Sequence, residues 1–146
     1  MSTPTVLLVC VRNSGKSQMA AALMRQAAGE RIEVHSAGTD PGAALNPLSL
    51  QVLDEVGAPT AGEVPKPIDA ALLARTDLVV VLGREARPHV PGGVRVQHWD
   101  TVEPSEWGVE GIERMRLIRD DITARVQALL AELDIPLLER LSPYDH

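Results

Sequence analysis

Apolar and polar positions divide the chain into short buried runs and longer amphipathic stretches. Val6 to Val9 is a four-residue apolar run ending at Cys10, the pattern of a strand covered on both faces. From Ser17 to about Ala28, Met19, Ala20, Leu23, Met24 and Ala27 form the broad apolar side of a helix, and Gly29 stands where a helix is capped. Arg31 to Val34 reads as a second strand, with His35-Ser-Ala-Gly-Thr39 as a polar loop after it. Asn46-Pro47 is an N-cap followed by a first helical residue, predicting a helix with Leu50, Leu53 and Val56 inward and Gly57 at its end. Ala58 to Pro67 holds three prolines and one glycine and is a loop. A short helix over Asp69 to Ala74 precedes Leu78-Val-Val-Val-Leu82, the most apolar strand. After a polar segment from Gly83 to Gly93, Val94 to His98 is a fourth strand and Trp99 to Gly108 a loop. A last helix runs from about Glu110 to Leu133. Its Met115, Ile118, Ile122, Val126, Leu129 and Leu133 are spaced 3, 4, 4, 3 and 4 apart on one face, and a tail follows from Ile135. Strands alternating with helices predict a layered α/β fold with a parallel sheet.

Composition narrows the function classes. A chain of 146 residues, 45% apolar, suits one domain (residues 1–146) with a full-sized core. The formal net charge is −6 and no basic run stands out, which argues against nucleic acid as a partner. No apolar run approaches the roughly 20 residues of a membrane span, and the N-terminus lacks the pattern of a signal peptide. One cysteine allows no internal disulfide, so a reducing cytoplasm is the expected setting.

The chemistry concentrates where the first strand meets the first helix. Strand, tight loop and helix N-terminus make an anion cradle, because unpaired backbone N–H groups and the helix dipole converge there. A thiolate is favoured over a thiol at such a place, with Lys16 as the neighbouring cation and Ser17 as a hydrogen-bond donor to Cys10. The N–H groups of Val11, Arg12, Asn13, Ser14, Gly15, Lys16 and Ser17 would hold a tetrahedral oxyanion facing that sulfur, ready for in-line attack. Gly15-Lys-Ser17 also matches the end of a nucleotide-binding P-loop, but Cys10 stands where that motif opens with glycine, and Asp77 begins its strand instead of ending it. No residues at metal-ligand spacing accompany His35, and no metal is expected.

Cys10-Val-Arg-Asn-Ser-Gly-Lys-Ser17 resembles the C-x5-R-[ST] loop of low-molecular-weight tyrosine phosphatases and their arsenate reductase relatives, with Ser17-Gln-Met-Ala20 typical of the reductases. Ser36-Ala-Gly-Thr39, Asn46-Pro47, Pro65-Lys66, Glu103-Pro104 and Glu113 to Asp120 extend the resemblance through most of the chain. Lys16 replaces the family's arginine and Glu103 its aspartate. With a single cysteine, these departures are similar to the mycothiol-dependent reductases. The resemblance implies a four-stranded parallel sheet flanked by helices on both faces.

It further implies reduction of arsenate by Cys10, with Lys16 balancing charge and Glu103 as the protonated acid for the departing oxygen; Asp100 is the fallback. The places of the two resolving cysteines of thioredoxin-coupled relatives are Gly83 and Val90, and their potassium-site acid falls at Ala21. No bound cofactor is therefore expected. The reductant would be an external thiol (mycothiol, bacillithiol or glutathione) with a redoxin, and Arg12 is a candidate to steer an anionic thiol. The alternatives are a phosphatase acting through a phosphocysteine and a non-catalytic oxyanion-binding domain. For the phosphatase, Lys16 lacks arginine's planar fork, and Trp99 and Trp107 are expected to pack rather than clamp a ring.

Overall fold

The computed structural model describes residues 3–138. Strands β1 (Thr5–Cys10), β2 (Glu33–Gly38), β3 (Leu78–Leu82) and β4 (Arg95–Trp99) form one sheet in the order β2-β1-β3-β4, every neighbouring pair parallel. Side chains alternate across it. Val6, Leu8 and Cys10 of β1, with Leu78, Val80 and Leu82 of β3, join one apolar cluster; Leu7, Val9, Val79 and Val81 join another on the opposite face. Burial on both faces is why these strands read as unbroken apolar runs.

The two faces are covered unequally. Helices α1 (Lys16–Ala28), α2 (Pro47–Asp54) and α4 (Gly111–Glu132) send Met19, Met24, Leu53, Ile118 and Ile122 into the larger cluster. The other face is covered by α3 (Ala70–Ala74) through Leu73, together with Ile68 and loop residues Val90 and Val94. Among the described residues no helix is long and apolar enough to cross a membrane. The expected caps form: Asn46 Oδ1 accepts the N–H of Leu48 and Ser49, a contact type worth about 1 kcal/mol.

Several boundaries differ from expectation. The second strand is Glu33–Gly38, so His35 to Gly38 belong to the sheet and are not a loop. Ser36, Ala37 and Gly38 pair with Leu8, Val9 and Cys10, a placement that weak strand formers acquire only from the neighbouring strand. On α2, Ser49, Val52 and Leu53 are buried whereas Leu50 is half-buried, because the face is set by contact with both α1 and α4; the helix stops at Asp54, so Val56, also half-buried, lies beyond it. On α4, Leu130 is buried and Leu133, just past the last turn, is only partly covered. The start of the tail turns back: Ile135 N–H donates to Leu130 O and Leu138 N–H to Ala27 O. The rest of the tail, including Tyr144, lies outside the described residues.

Candidate active site

The strand order places a topological switch between β1 and β3, where the connections leave in opposite directions and open α/β sheets form their crevices. Cys10 ends β1, Leu82 ends β3 and Trp99 ends β4, so the three following loops share one rim. They enclose a cavity of about 620 Å³ lined by Cys10, Lys16, Arg84, Asp100, Thr101 and Glu103, among others. Asp77 lies at the opposite end of β3, its carboxylate accepting the Thr5 N–H, and has no place in the crevice.

The loop after Cys10 is held by its carbonyls. Thr39, Asp40, Gly42 and Asn46 donate backbone N–H groups to the oxygens of Cys10, Val11, Arg12 and Ser14 respectively, at 2.8–3.1 Å. With its carbonyls engaged by the segment after β2, the loop meets the cavity with the opposite edge of its peptide units. Close approach requires a glycine at position 38, where a Cβ would lie 2.6 Å from Val11 O and 3.0 Å from Asn13 Cβ. The α1 N-terminus, capped by Gly15, has no side-chain cap, so its first N–H groups are left to a guest or to water.

Beneath the loop runs a chain of polar contacts whose direction is fixed at both ends. Lys66 N–H, which can only donate, gives its hydrogen to Asn13 Oδ1 at 3.1 Å, and Val64 C=O, which can only accept, takes one from Gln18 Nε2 at 3.2 Å. Gln18 Nε2 also reaches Asn13 Oδ1 at 3.1 Å. Asn13 must therefore present Nδ2 to Ser17 Oγ, 2.7 Å away, which leaves the Ser17 hydroxyl hydrogen for Cys10 Sγ at 2.9 Å. The Asn13 N–H approaches the same sulfur at 3.2 Å. Asn13 is fully buried with φ of 53°, a left-handed conformation that asparagine tolerates better than most residues. Two donors are thus aimed at one sulfur.

The structure divides the residues singled out from sequence. Cys10, Val11, Arg12, Gly15 and Lys16 line the cavity, while the side chains of Asn13 and Ser17 are buried behind it. Ser14 turns its hydroxyl toward Gly42 and is not part of the lining. Lys16 Nζ lies 4.0 Å from the position a Cβ on Gly83 would take, which places the ammonium over the crevice. Arg12 is exposed and paired with Asp40 at 2.8 Å. Ser36 is buried, its hydroxyl 3.5 Å from Lys66 Nζ. His35 pairs with Glu33, a structural role.

The expectation of a protonated Glu103 is overturned. Arg114 binds it through Nε at 2.7 Å and Nη2 at 2.5 Å, and Ser105 donates both its N–H and its hydroxyl to Oε2. The Arg114 pairing, helped by Ser105, holds this carboxyl down at about 2 against the opposing effect of desolvation. Glu103 is a cap and an anchor: it opens the 3-10 turn Pro104–Trp107 and ties it to α4. Asp100 also lies below the usual carboxylate range, chiefly through its two contacts with Arg84 at 2.7 and 3.0 Å, with Arg125 and Lys16 adding to the effect. Trp99 packs in the core as expected, whereas Trp107 is 66% exposed on the cavity rim. Sequence reading overlooked the Gln18–Asn13 relay, Arg84 and Arg114. Only Arg114 left a signal there, as a basic residue among acids on α4. Among the described residues no group of three His, Cys, Asp or Glu is placed to hold a metal.

Comparison with known proteins agrees with this architecture. Residues 5–136 match the family described as low molecular weight phosphotyrosine protein phosphatase. Arsenate reductase 1 of Staphylococcus haemolyticus is 33% identical over 130 residues, 87% of this chain and 95% of the relative. An arsenate reductase of Bacillus cereus is 35% identical over 126 residues, 84% of this chain and 91% of its own length. Among solved structures, a thioredoxin-dependent arsenate reductase of Corynebacterium glutamicum superposes with a TM-score of 0.77 at 30% identity over 90% of this chain; the chain spans 62% of that protein. The arsenate reductase of Archaeoglobus fulgidus gives 0.70 at 28% identity, covering 86% of this chain and 98% of its own. With the match running from the start of β1 to just past α4, the chain belongs to the low-molecular-weight phosphotyrosine protein phosphatase family.

Proposed function

We propose that residues 1–146 act as one domain that reduces arsenate to arsenite in the cytoplasm, without a bound cofactor. The observation that carries this reading is the setting of Cys10 Sγ. It stands at the base of the cavity with two donors on it and an uncapped helix N-terminus beside it. The backbone N–H groups from Val11 to Ser17 hold three oxygens of the guest, and Lys16 balances their charge. The thiolate attacks arsenic in line; an S–As bond forms, the opposite As–O bond breaks, and that oxygen takes up protons to leave as water. Glu103, held ionised by Arg114, is not the proton source. Asp100, at the open mouth and within the field of Lys16, carries the proton in from solvent once it releases Arg84.

Arsenic then lies between the sulfur and the mouth, so an external thiolate reaches arsenic before it reaches the 8%-exposed Cys10. It forms its own S–As bond and expels Cys10 as thiolate, with no change in oxidation state. A redoxin thiolate next attacks the sulfur of that thiol adduct. An S–S bond forms, the S–As pair passes to arsenic, and arsenite leaves as arsenic falls from the pentavalent to the trivalent state; the redoxin's second thiol resolves the disulfide.

Phosphate-ester hydrolysis is the weaker reading. Lys16 offers a point charge where a planar fork would bridge two oxygens of the transferring phosphoryl group. The test is arsenite release from arsenate, measured with several thiol and redoxin systems on wild type and Cys10→Ser, beside hydrolysis of p-nitrophenyl phosphate. We expect thiol-dependent arsenite release that Cys10→Ser abolishes. Oxyanion binding with no turnover in either protein would overturn the proposal in favour of a non-catalytic binding domain.

A further inference from the structure

The crevice is larger than its first guest needs. A five-atom oxyanion fills the space of a few waters, at about 30 Å³ each, in a cavity of about 620 Å³. Beyond Arg84 the space continues into a groove of about 680 Å³ between the segment after β3 and strand β4. Gly83, Arg84, Ala86 and Asp100 line both, so the Arg84–Asp100 ion pair is a partition between two connected compartments and not an outer wall.

The groove has the make-up of a small-molecule site: apolar Val81, Val90 and Val96 on its sides with a few polar groups among them, Arg87, His89 and His98. Arg87 is the informative one. In a chain of net charge −6, every other described arginine is bonded to a carboxylate or a backbone carbonyl: for example Arg12 to Asp40, Arg75 to Glu33, Arg95 to Glu132 and Arg31 to Pro136 O. Among the described residues Arg87 has no such partner, and neither imidazole of His89 or His98 has one. Three donor groups thus line one groove beside the Cys10 cavity, with no partner among the described residues to take their hydrogens.

We infer that this groove binds the tail of the thiol co-substrate. The ligand is a small thiol whose tail is rich in hydrogen-bond acceptors, which Arg87, His89 and His98 hold while its sulfur passes the opened Arg84–Asp100 pair to reach arsenic. The inference rests on the reading of the chain as a thiol-dependent reductase. Acceptors of this kind come as carboxylates, as in glutathione, or as clustered hydroxyls, as in mycothiol; a thiol such as 2-mercaptoethanol has no tail to hold.

The experiment varies each of these three thiols in turn in arsenate reduction by wild type, Arg87→Ala, Arg87→Lys and His98→Ala. Arg87 and His98 are exposed, and thermal melts of each variant check that the fold is kept. Failure of the wild type to reduce arsenate with any thiol would sink the proposed function and not the groove in particular. Given wild-type turnover, Arg87→Ala should raise the KM for a tailed thiol about tenfold, the scale of one lost charged hydrogen bond, with kcat at saturating thiol and the KM for arsenate preserved. Arg87→Lys should recover part of the loss and His98→Ala should show a smaller one. A penalty confined to glutathione identifies carboxylate recognition, and one confined to mycothiol identifies hydroxyl recognition. Equal penalties with 2-mercaptoethanol, or no rise in KM with either tailed thiol, would overturn the inference. As a second readout, S-methylglutathione and S-methylmycothiol are titrated into the wild-type protein: amide shifts over residues 86–98 support the site, and shifts confined elsewhere refute it.

Discussion

Two loops face each other across the crevice and are held in opposite ways. The loop after Cys10 is fixed by backbone hydrogen bonds from residues 39–46 and by neutral amides and hydroxyls beneath it. The loop after β4 is fixed to α4 by charge: Glu103 to Arg114, the Val102 N–H to Asp121 and the Asp100 carbonyl to Arg125. Neutral contacts in a buried setting respond little to salt or pH, whereas half-exposed ion pairs respond to both. One side of the crevice is thus a fixed wall and the other an adjustable one, held by contacts that respond to salt and pH.

The sharpest way to break that contrast is at Asn13. Asn13→Ala removes both the relay to Ser17 and the tolerance of left-handed φ, whereas Asn13→Gly keeps the backbone and loses only the amide. We expect arsenate reduction to fall roughly 5- to 150-fold in both, the span that about 1–3 kcal/mol of lost hydrogen bonding covers, with a lower melting temperature in the alanine variant. Equal melting temperatures would show that φ at position 13 carries no strain. Next comes Gly38→Ala, whose Cβ meets backbone at 2.6 Å. The cost should be about 1–3 kcal/mol in denaturant unfolding, with turnover lost alongside because the displaced atoms belong to the Cys10 loop.

Effects on the adjustable wall are smaller. Glu103→Gln should change turnover less than about threefold and leave the alkaline limb of the pH–rate profile in place, since the carboxylate anchors a loop and carries no proton. A large drop in turnover with loss of the alkaline limb would restore Glu103 as the acid. Asp100→Asn, by contrast, should lower kcat and flatten the alkaline limb. The smallest effect is on stability in acid. Glu103 and Glu55 both lie at about 2, well below the 4.5 they would have unpaired, through Arg114 and through Arg116 and Arg119 respectively. A depressed carboxyl stabilises the fold fully above its unpaired value, so these contributions are complete above about pH 5 and fade as pH falls toward 2. Emission from Trp107, in the turn that Glu103 caps, should report loop release over that window in wild type and lose its pH dependence in Glu103→Gln.

Much of the fold was legible because its strands are buried on both sides. Val6 to Val9 and Leu78 to Leu82 have little other place to be, and Asn46-Pro47 states its cap in two residues. Ser36 to Gly38 were misread as loop since their strand character comes from the partner strand, and Gly38 is there for closeness to Val11, a requirement invisible in one dimension. The placement of Cys10 at the end of β1, with a tight loop and the α1 N-terminus after it, was likewise readable from order and spacing. What could not be read was long-range pairing. Glu103 looks like a free loop carboxyl until Arg114, 11 residues on, reaches back to it, and Asn13 looks like one polar residue of several until Lys66 and Gln18 orient its amide.

The stretch from Thr39 to Asn46 has no helix or strand of its own, and by appearance it would suit an affinity tag, an epitope or a fluorescent insertion. Its amides, however, hold the carbonyls of Cys10, Val11, Arg12 and Ser14 in the loop that ends β1. Lengthening it by even one residue would put those clasps out of step, so this surface ribbon should accept insertions as poorly as the core does.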